Sequence, residues 1–186
     1  MCFEGRSAER GGDLHNLTSA ASVRRGGGWQ EIAIGDMTEE DVSEVLAIEQ
    51  ASFSTPWSEN IFRRELKFPL ARNLVARVRG EGREEIAGYV NFWVIAGEIH
   101  LHNIAVRRGR QRMGVASALM MEVIRRARKE GAWHATLEVR RANDGARKLY
   151  EKFGFALTGI RPSYYDDTKE DALIMWADLG ERDDGK

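Results

Sequence analysis

Residues 102–127, HNIAVRRGRQRMGVASALMMEVIRRA, join a short apolar run to a basic turn and then to an amphipathic helix. Where a strand passes into a helix, the first main-chain N–H groups lack intrahelical partners, and with the helix dipole they form an anion site. Gly114 and Ala116 let a phosphate approach the backbone closely. We therefore expect this turn to hold a pyrophosphate; the alternative is a plain surface turn with solvated arginines. The arginines are Arg107, Arg108, Arg110 and Arg112.

The composition limits the classes of protein to consider. The chain has 186 residues, 42% of them hydrophobic, which is enough for one domain with a substantial core. Its net charge of −1 gives no general basic field for nucleic acid. The single cysteine, Cys2, excludes an intrachain disulfide and fits a reducing compartment. The apolar stretch 89–97 is too short to span a bilayer. We expect a soluble, cytoplasmic protein that binds neither nucleic acid nor a membrane.

The two ends of the chain differ from its middle. Residues 1–28 are rich in Gly, Ser, Arg and Asp and have no periodic apolar pattern, so we expect a disordered leader. One folded domain should span residues 29–179, and residues 180–186 should form a polar tail.

The patterns within the domain predict a strand, two helices, three antiparallel strands, a helix, a strand, a helix and two strands. Residues 38–41 resemble a capping box before the first helix, and Thr55 with Pro56 indicates the start of the second. The strands 98–106 and 133–141 should be parallel because a helical crossover joins them. The predicted fold class is α/β, with a single mixed, mostly antiparallel sheet and helices on both faces.

The predicted strand 133–141 carries polar side chains on one face. A parallel strand in the middle of a sheet is usually apolar on both faces, so this polar face indicates a water-filled cleft. Glu138 lies on it and is a candidate general base. The alternative, an ion pair between Glu138 and a nearby arginine, is equally compatible with the sequence.

The next predicted helix, 143–153, supplies a second candidate. Asn143 is well placed as its N-cap, and Tyr150 lies two turns later on the same face. Tyr150 could pack as the edge of the buried stripe, which is the commoner fate of a tyrosine. Its phenol could equally donate a proton to a leaving thiolate.

Several motifs occur in the order and at the spacing typical of the GNAT family of N-acetyltransferases, which the chain resembles over roughly residues 30–179. They are NIAV (103–106), QRMGVA (111–116), LEVR (137–140), Asn143 and LYEKFGF (149–155). Within that family the chain looks most like the ribosomal-protein-alanine N-acetyltransferases (RimI type). That closer likeness rests on PWSE (56–59), YY (164–165) and EDALIM (170–175).

The resemblance implies a GNAT fold, with a V-shaped splay between the two central parallel strands, and acetyl-CoA as co-substrate. The backbone of Ile104 and Val106 would pair with the pantetheine arm. Residues 112–117 would hold the pyrophosphate, and Asn143 would contact the pantetheine. The residues implied to bind acetyl-CoA are Ile104, Ala105, Val106, Gln111, Arg112, Met113, Gly114, Val115, Ala116, Ser117 and Asn143.

The resemblance also implies catalytic roles. Glu138 would act as the base on the acceptor amine, and Tyr150 as the acid toward the CoA sulfur, with direct attack and no covalent acyl-enzyme. We expect both side chains to face one slot between the parted strands, not opposite sides of the sheet. The turn departs from the family, in which an acidic residue and a proline commonly follow the apolar run. This chain has Arg107 and Arg108 there.

Trp57, Tyr164 and Tyr165 are the residues expected to frame the acceptor peptide; the alternative for the two tyrosines is a packed hairpin end. His100 and His102 lie two apart, but two ligands are too few for a metal site, so we expect none.

We expect an N-terminal acetyltransferase acting on the N-terminal alanine of a small-subunit ribosomal protein. The alternatives are an acetyltransferase of broader N-terminal or small-amine specificity, and a non-catalytic acyl-CoA-binding module.

Overall fold

The computed structural model describes residues 17–25, 28–79 and 83–180. Within them, eight strands form one mixed sheet in the order β1-β2-β3-β4-β5-β6-β8-β7. The strands are β1 (Leu17–Arg25), β2 (Gly28–Asp36), β3 (Ala71–Arg79), β4 (Glu84–Ile95), β5 (Glu98–Val106), β6 (His134–Arg140), β7 (Ala156–Tyr165) and β8 (Glu170–Asp178). The helices are α1 (Val42–Ser52), α2 (Glu59–Glu65), α3 (Val115–Lys129) and α4 (Asp144–Lys152), and Arg108–Arg110 form a single 3₁₀ turn.

Apolar side chains divide between the two faces of the sheet. On one face, which we call the α3/α4 face, Leu119 and Val123 of α3 share a core with Leu137 of β6 and Tyr150 of α4. On the other, the α1/α2 face, Val45 of α1 and Phe62 of α2 pack with residues of β3, β4 and β5. The predicted sheet with helices on both faces is therefore confirmed.

The first strand corrects one prediction. β1 pairs antiparallel with β2 along residues 17–25, so the expectation of disorder throughout residues 1–28 is wrong for that segment. An edge strand gains its main-chain hydrogen bonds without needing a periodic apolar pattern, which is why the pattern did not reveal it. Residues 1–16, 26–27, 80–82 and 181–186 lie outside the described residues.

The starts of two helices also differ from prediction. The Thr38 N–H donates to Asp41 Oδ2 (2.8 Å), as in half of a capping box, but α1 begins only at Val42. Helix α2 begins at Glu59 after Ser58, not at Pro56. The buried carboxylate of Glu49 accepts the Trp57 N–H at 2.8 Å, and this contact keeps the segment before α2 in a loop.

The two central parallel strands separate part-way along. β5 and β6 pair only from Glu98 opposite His134 to Leu101 opposite Leu137. At this point the pairing of β5 with β4 shifts by one residue, so that His102 is the extra residue of a β-bulge. Beyond it, residues 103–106 of β5 and 138–140 of β6 diverge in the described sheet and leave a gap. The predicted splay is confirmed.

Candidate active site

The basic turn opens into a cleft beside the gap. Gly114 precedes α3 with a left-handed backbone (φ +78°), and Arg112 is also left-handed (φ +59°). The first N–H groups of α3 have no acceptors within the helix. The cleft has a volume of about 800 Å³, and ten of the eleven residues predicted to bind acetyl-CoA line it. They are Ile104, Ala105, Val106, Gln111, Arg112, Gly114, Val115, Ala116, Ser117 and Asn143.

Met113 does not line the cleft. Its side chain is only 7% exposed and packs in the core of the α3/α4 face. Because Arg112 and Gly114 on either side adopt left-handed backbones, the chain between them turns inward. Any contribution of Met113 to an anion site would therefore come from its main chain.

The arginines of the turn are divided between the cleft and internal ion pairs. Arg107 bonds to Glu44 (2.8 Å), and Arg110 to Glu85 (2.5 Å). Arg108 donates to the Ala51 carbonyl at 3.1 Å. Of the four, Arg108, Arg110 and Arg112 line the cleft. The positive charge of the four arginines is thus partly balanced by the carboxylates of Glu44 and Glu85.

Helix α4 forms the opposite wall of the cleft. Asn143 is its N-cap, and the Asn143 Oδ1 accepts the Ala146 N–H at 3.1 Å, as predicted. Lys148 and Lys152 also line the cleft from this helix. The sequence analysis missed these two lysines, although their spacing of four residues places them on one helix face. The cleft therefore has cationic groups on both walls.

Glu138 lies on β6 at the open part of the gap. Its carboxylate forms an ion pair with Arg161 (Nε to Oε1, 3.1 Å), and its side chain is 27% exposed. Tyr164 donates a hydrogen bond to Glu138, and this bond is the main cause that raises the pKa of Tyr164. The alternative of an ion pair with an arginine is therefore present, while the role of Glu138 as a base stays a prediction.

Tyr150 lies on α4 and packs in the core of the α3/α4 face. Its side chain is 6% exposed and its ring centroid lies 5.8 Å from that of Phe155. Burial raises the pKa of Tyr150 well above its ordinary value, with a smaller contribution from Tyr165. The phenol therefore stays protonated at neutral pH.

The expectation that Glu138 and Tyr150 face the same side of the sheet is wrong. Leu137 and Val139 share the α3/α4 core with Tyr150, and side chains alternate along a strand, so Glu138 points to the α1/α2 face. The two residues instead lie on opposite faces of the sheet.

The family follows from this geometry and from comparison with known proteins. The sequence profile of the Acetyltransferase (GNAT) family matches residues 42–155. The chain belongs to the GNAT family. It is an acetyl-CoA-dependent N-acetyltransferase.

Individual relatives of this GNAT enzyme are similar over most of its length. An Escherichia coli (strain K12) protein named ribosomal protein bS18-alanine N-acetyltransferase is 35% identical over 149 residues, covering 76% of this chain and 94% of the relative. A Bacillus subtilis (strain 168) protein, whose name gives the same activity provisionally, is 35% identical over 150 residues, covering 80% and 97%. The crystal structure of the ribosomal-protein-S18-alanine N-acetyltransferase from Escherichia coli matches with a TM-score of 0.73 and 31% identity, covering 83% of this chain and 98% of that one.

The three residues expected to frame the acceptor occupy different environments in the GNAT enzyme. Tyr164 is 44% exposed beside Glu138. Tyr165 lies under the guanidinium of Arg140, 3.8 Å from the ring centroid. Trp57 is half-buried, with its ring 5.5 Å from that of Phe62. Packing thus accounts for much of the environment of Trp57 and Tyr165, whereas Tyr164 is exposed beside Glu138.

A polar bridge, which the sequence analysis missed, joins the loop before α2 to the turn between β7 and β8. Ser54 donates to Asp167, and Arg140 donates to the same carboxylate at 2.8 Å. The hydrogen bonds from Ser54 and Arg140 lower the pKa of Asp167 to about 2. Ser54 and Asp167 are 113 residues apart in the chain, so no local pattern could reveal the contact.

Glu49 is a second missed residue and is fully buried in α1. Its carboxylate accepts the Trp57 N–H (2.8 Å), Asn103 Nδ2 (3.1 Å) and the Tyr89 hydroxyl. Burial raises the pKa of Glu49. The sequence did contain one signal for Glu49: an acidic residue next to Ile48, within the apolar stripe of the first helix, where a charged side chain is unusual. Glu49 therefore ties the loop before α2 to the strand residue that follows the bulge.

Two further findings concern metals and membranes. Across residues 17–25, 28–79 and 83–180 there is no group of three or more His, Cys, Asp or Glu side chains that could hold a metal ion. His100 lies 3.8 Å from Glu98, and His102 packs its ring against Trp93. No helix in the described part of the chain is both long enough and apolar enough to span a membrane.

Proposed function

We propose that this GNAT enzyme transfers the acetyl group of acetyl-CoA to the N-terminal alanine amine of a small-subunit ribosomal protein. One observation carries the proposal: β5 and β6 separate next to an anion-binding turn, with Glu138 at the gap on one face and Tyr150 on the other. The relatives named as bS18-alanine N-acetyltransferases support the choice of acceptor.

The cleft residues fit acetyl-CoA. The main-chain N–H groups of residues 112–117 and the positive end of α3 suit a pyrophosphate, because Gly114 removes the side chain that would block it. Lys148 and Lys152 add cationic groups on the opposite wall. The free edge of β5 at Ile104 and Val106 offers main-chain groups to the amide-containing pantetheine arm, like an added strand. Bound acetyl-CoA supplies the acetyl group as an activated thioester.

Glu138 prepares the acceptor amine in this proposal. An N-terminal amine has a reference pKa of about 7.7–8.0, so at neutral pH it is mostly protonated and not nucleophilic. Glu138 carboxylate, directly or through one water, takes one proton from the ammonium group before the neutral amine attacks the thioester carbon. As the C–S bond breaks and the amide forms, the nitrogen releases its second proton to solvent, and the phenolate left on Tyr150 is reprotonated from solvent. General acid–base help of this kind contributes roughly 10²–10⁴-fold.

Tyr150 completes the proton transfers. Because its pKa is raised by burial, the phenol keeps its proton until the sulfur leaves, and then donates that proton from Oη to the sulfur. Direct transfer needs no nucleophile from the protein. Holding the amine and the thioester in line across the gap supplies comparable or greater acceleration.

The acceptor would approach over the α1/α2 face. Helix α1 packs on β4 and β5, and α2 packs on β3, whereas Trp176 of β8 is 38% exposed on the same face as Glu138. Tyr164 of β7 stands beside Glu138, and its hydroxyl interacts with the Glu138 carboxylate. This surface is wide enough for a peptide and presents aromatic groups and hydrogen-bond donors to it.

A peptide panel tests the proposal. Purified enzyme is incubated with acetyl-CoA and short peptides that differ only in their first residue, and products are identified by mass spectrometry. We expect acetylation of the α-amine with a preference for alanine. Equal use of Met, Ser and Ala starts would show broader specificity, and preference for small free amines would redirect the proposal to a small-molecule acceptor. No transfer to any amine would contradict it.

A further inference from the structure

Glu138 is contacted by a cation from a distant strand. Arg161 lies on the edge strand β7, opposite Ala172 of β8, which in turn lies opposite Arg140 of β6. All three positions share the face of Glu138. Because the side chain of Ala172 is a single methyl group, the long side chain of Arg161 can cross β8 and reach Glu138 at 3.1 Å.

The other charged and titratable groups around Glu138 have different positions or partners. On its own strand, Arg140 is committed to Asp167 (2.8 Å) and Glu170 (3.4 Å). From β7, Tyr164 donates a hydrogen bond to Glu138, and Tyr165 interacts electrostatically with it. From β5, His102 interacts with Glu138 only electrostatically. Arg161 thus supplies the ion pair, and it does so from the exposed side.

We propose that in the free enzyme the guanidinium of Arg161 holds the place at Glu138 that the ammonium group of the acceptor takes, so the incoming amine displaces it. The inference rests on the proposed function, because it requires Glu138 to receive the amine. Both groups are cations that can pair with the same carboxylate. Arg161 acts through Glu138 and is a positioning residue.

The exposure of Arg161 makes this exchange easy. Its side chain is 56% exposed, and exposed ion pairs contribute little to stability. The ring of Tyr164, 5.6 Å from the guanidinium carbon, offers a second resting place through a cation–π contact.

The test compares Arg161→Gln with Arg141→Gln. Arg141 is a matched control because it also pairs with a carboxylate at 3.1 Å, that of Asp171, and is 54% exposed, but it does not contact Glu138. For an alanine-starting peptide, Arg161→Gln should lower KM by up to about fivefold and leave kcat within about twofold. Arg141→Gln should change none of these.

An unchanged or higher KM in Arg161→Gln would overturn the inference, and so would equal effects in both variants. If the wild-type enzyme acetylates no peptide, the proposed function fails, and the inference is then judged without turnover. Equilibrium binding of an alanine-starting peptide to the CoA-loaded enzyme should be up to about fivefold tighter in Arg161→Gln than in wild type. An equal or weaker affinity in the variant would contradict the placement of Arg161 at the position of the amine.

Discussion

The two faces of the sheet build their parts of the site by different means. On the α3/α4 face the phosphate turn uses main-chain N–H groups, a left-handed glycine and the start of one helix, all within residues 112–117. On the α1/α2 face the groups around Glu138 come from three strands, β5, β6 and β7. Main-chain recognition is local and tolerant of side-chain change, whereas the side-chain arrangement depends on long-range packing.

The largest expected effect concerns the α1/α2 face. Glu138→Gln keeps a side chain of the same size but replaces the basic carboxylate with an amide. We therefore expect kcat to fall by about 10³-fold while the affinity for acetyl-CoA stays unchanged. Steady-state kinetics and equilibrium binding measure the two quantities. Glu98→Gln is the control, since Glu98 starts the neighbouring strand, where β5 and β6 are still paired. A parallel loss of cofactor affinity in Glu138→Gln would erase the distinction between the faces.

Tyr150→Phe removes the proposed acid and should lower kcat by about 10²-fold. Because the pKa of Tyr150 is raised above its ordinary value of about 10, the wild-type rate should show no loss from phenol ionisation below that pH. The measurement is kcat as a function of pH in both proteins. If the wild-type rate fell on the basic side below about pH 10, and this fall were absent in Tyr150→Phe, the result would contradict a buried, protonated phenol.

Gly114→Ala tests the main-chain site. An alanine at φ +78° is strained by about 1–2 kcal/mol, and the turn should relieve this by moving its N–H groups. Loss of one charge-assisted hydrogen bond would weaken acetyl-CoA binding by about tenfold. Gly131→Ala is the matched control, because Gly131 has the same φ of +78° after the far end of α3. We expect the two variants to lose similar stability, and only Gly114→Ala to bind acetyl-CoA more weakly. Weaker acetyl-CoA binding in both variants would point to a general loss of structure.

The smallest effect concerns the bridge between Ser54 and Asp167. Because its pKa is lowered to about 2, against about 3.9 unfolded, Asp167 adds stability that is fully present above about pH 4 and is lost as the pH falls toward 2. Asp167→Asn should therefore have a slightly lower Tm than wild type at neutral pH, with a difference that shrinks over that window. Asp166→Asn, at a side chain that is 97% exposed, should show no such difference. A constant difference down to pH 2 would refute the assigned linkage.

The sequence could predict the features that depend on neighbouring residues, but not those that depend on contacts between distant segments. The parallel strands and the Asn143 cap depend on local periodicity, and the structure confirms them. The cleft also gathers ten of the eleven residues predicted for acetyl-CoA. The side chain of Met113 is buried instead, because a run of consecutive residues in a turn does not show which side chain points inward; its predicted main-chain role stays a prediction.

The rest depended on contacts between distant segments. The start of α2 is fixed by Glu49, an acidic residue buried one helix earlier. The pairing of Arg161 with Glu138 requires knowing that β7 lies beyond β8, and that Ala172 leaves room between them. No periodic pattern carries either fact. The opposite orientation of Glu138 and Tyr150 likewise became clear only from the core that Tyr150 shares with Leu137.

The most direct test of transfer across the gap is a crystal structure of the enzyme with CoA covalently joined to an alanine-starting peptide. The account predicts the pyrophosphate at residues 112–117, the pantetheine along residues 104–106, and the alanine nitrogen beside Glu138 on the α1/α2 face, with Arg161 moved away. A peptide lying on the α3/α4 face, or a pantetheine that does not pass between β5 and β6, would contradict it.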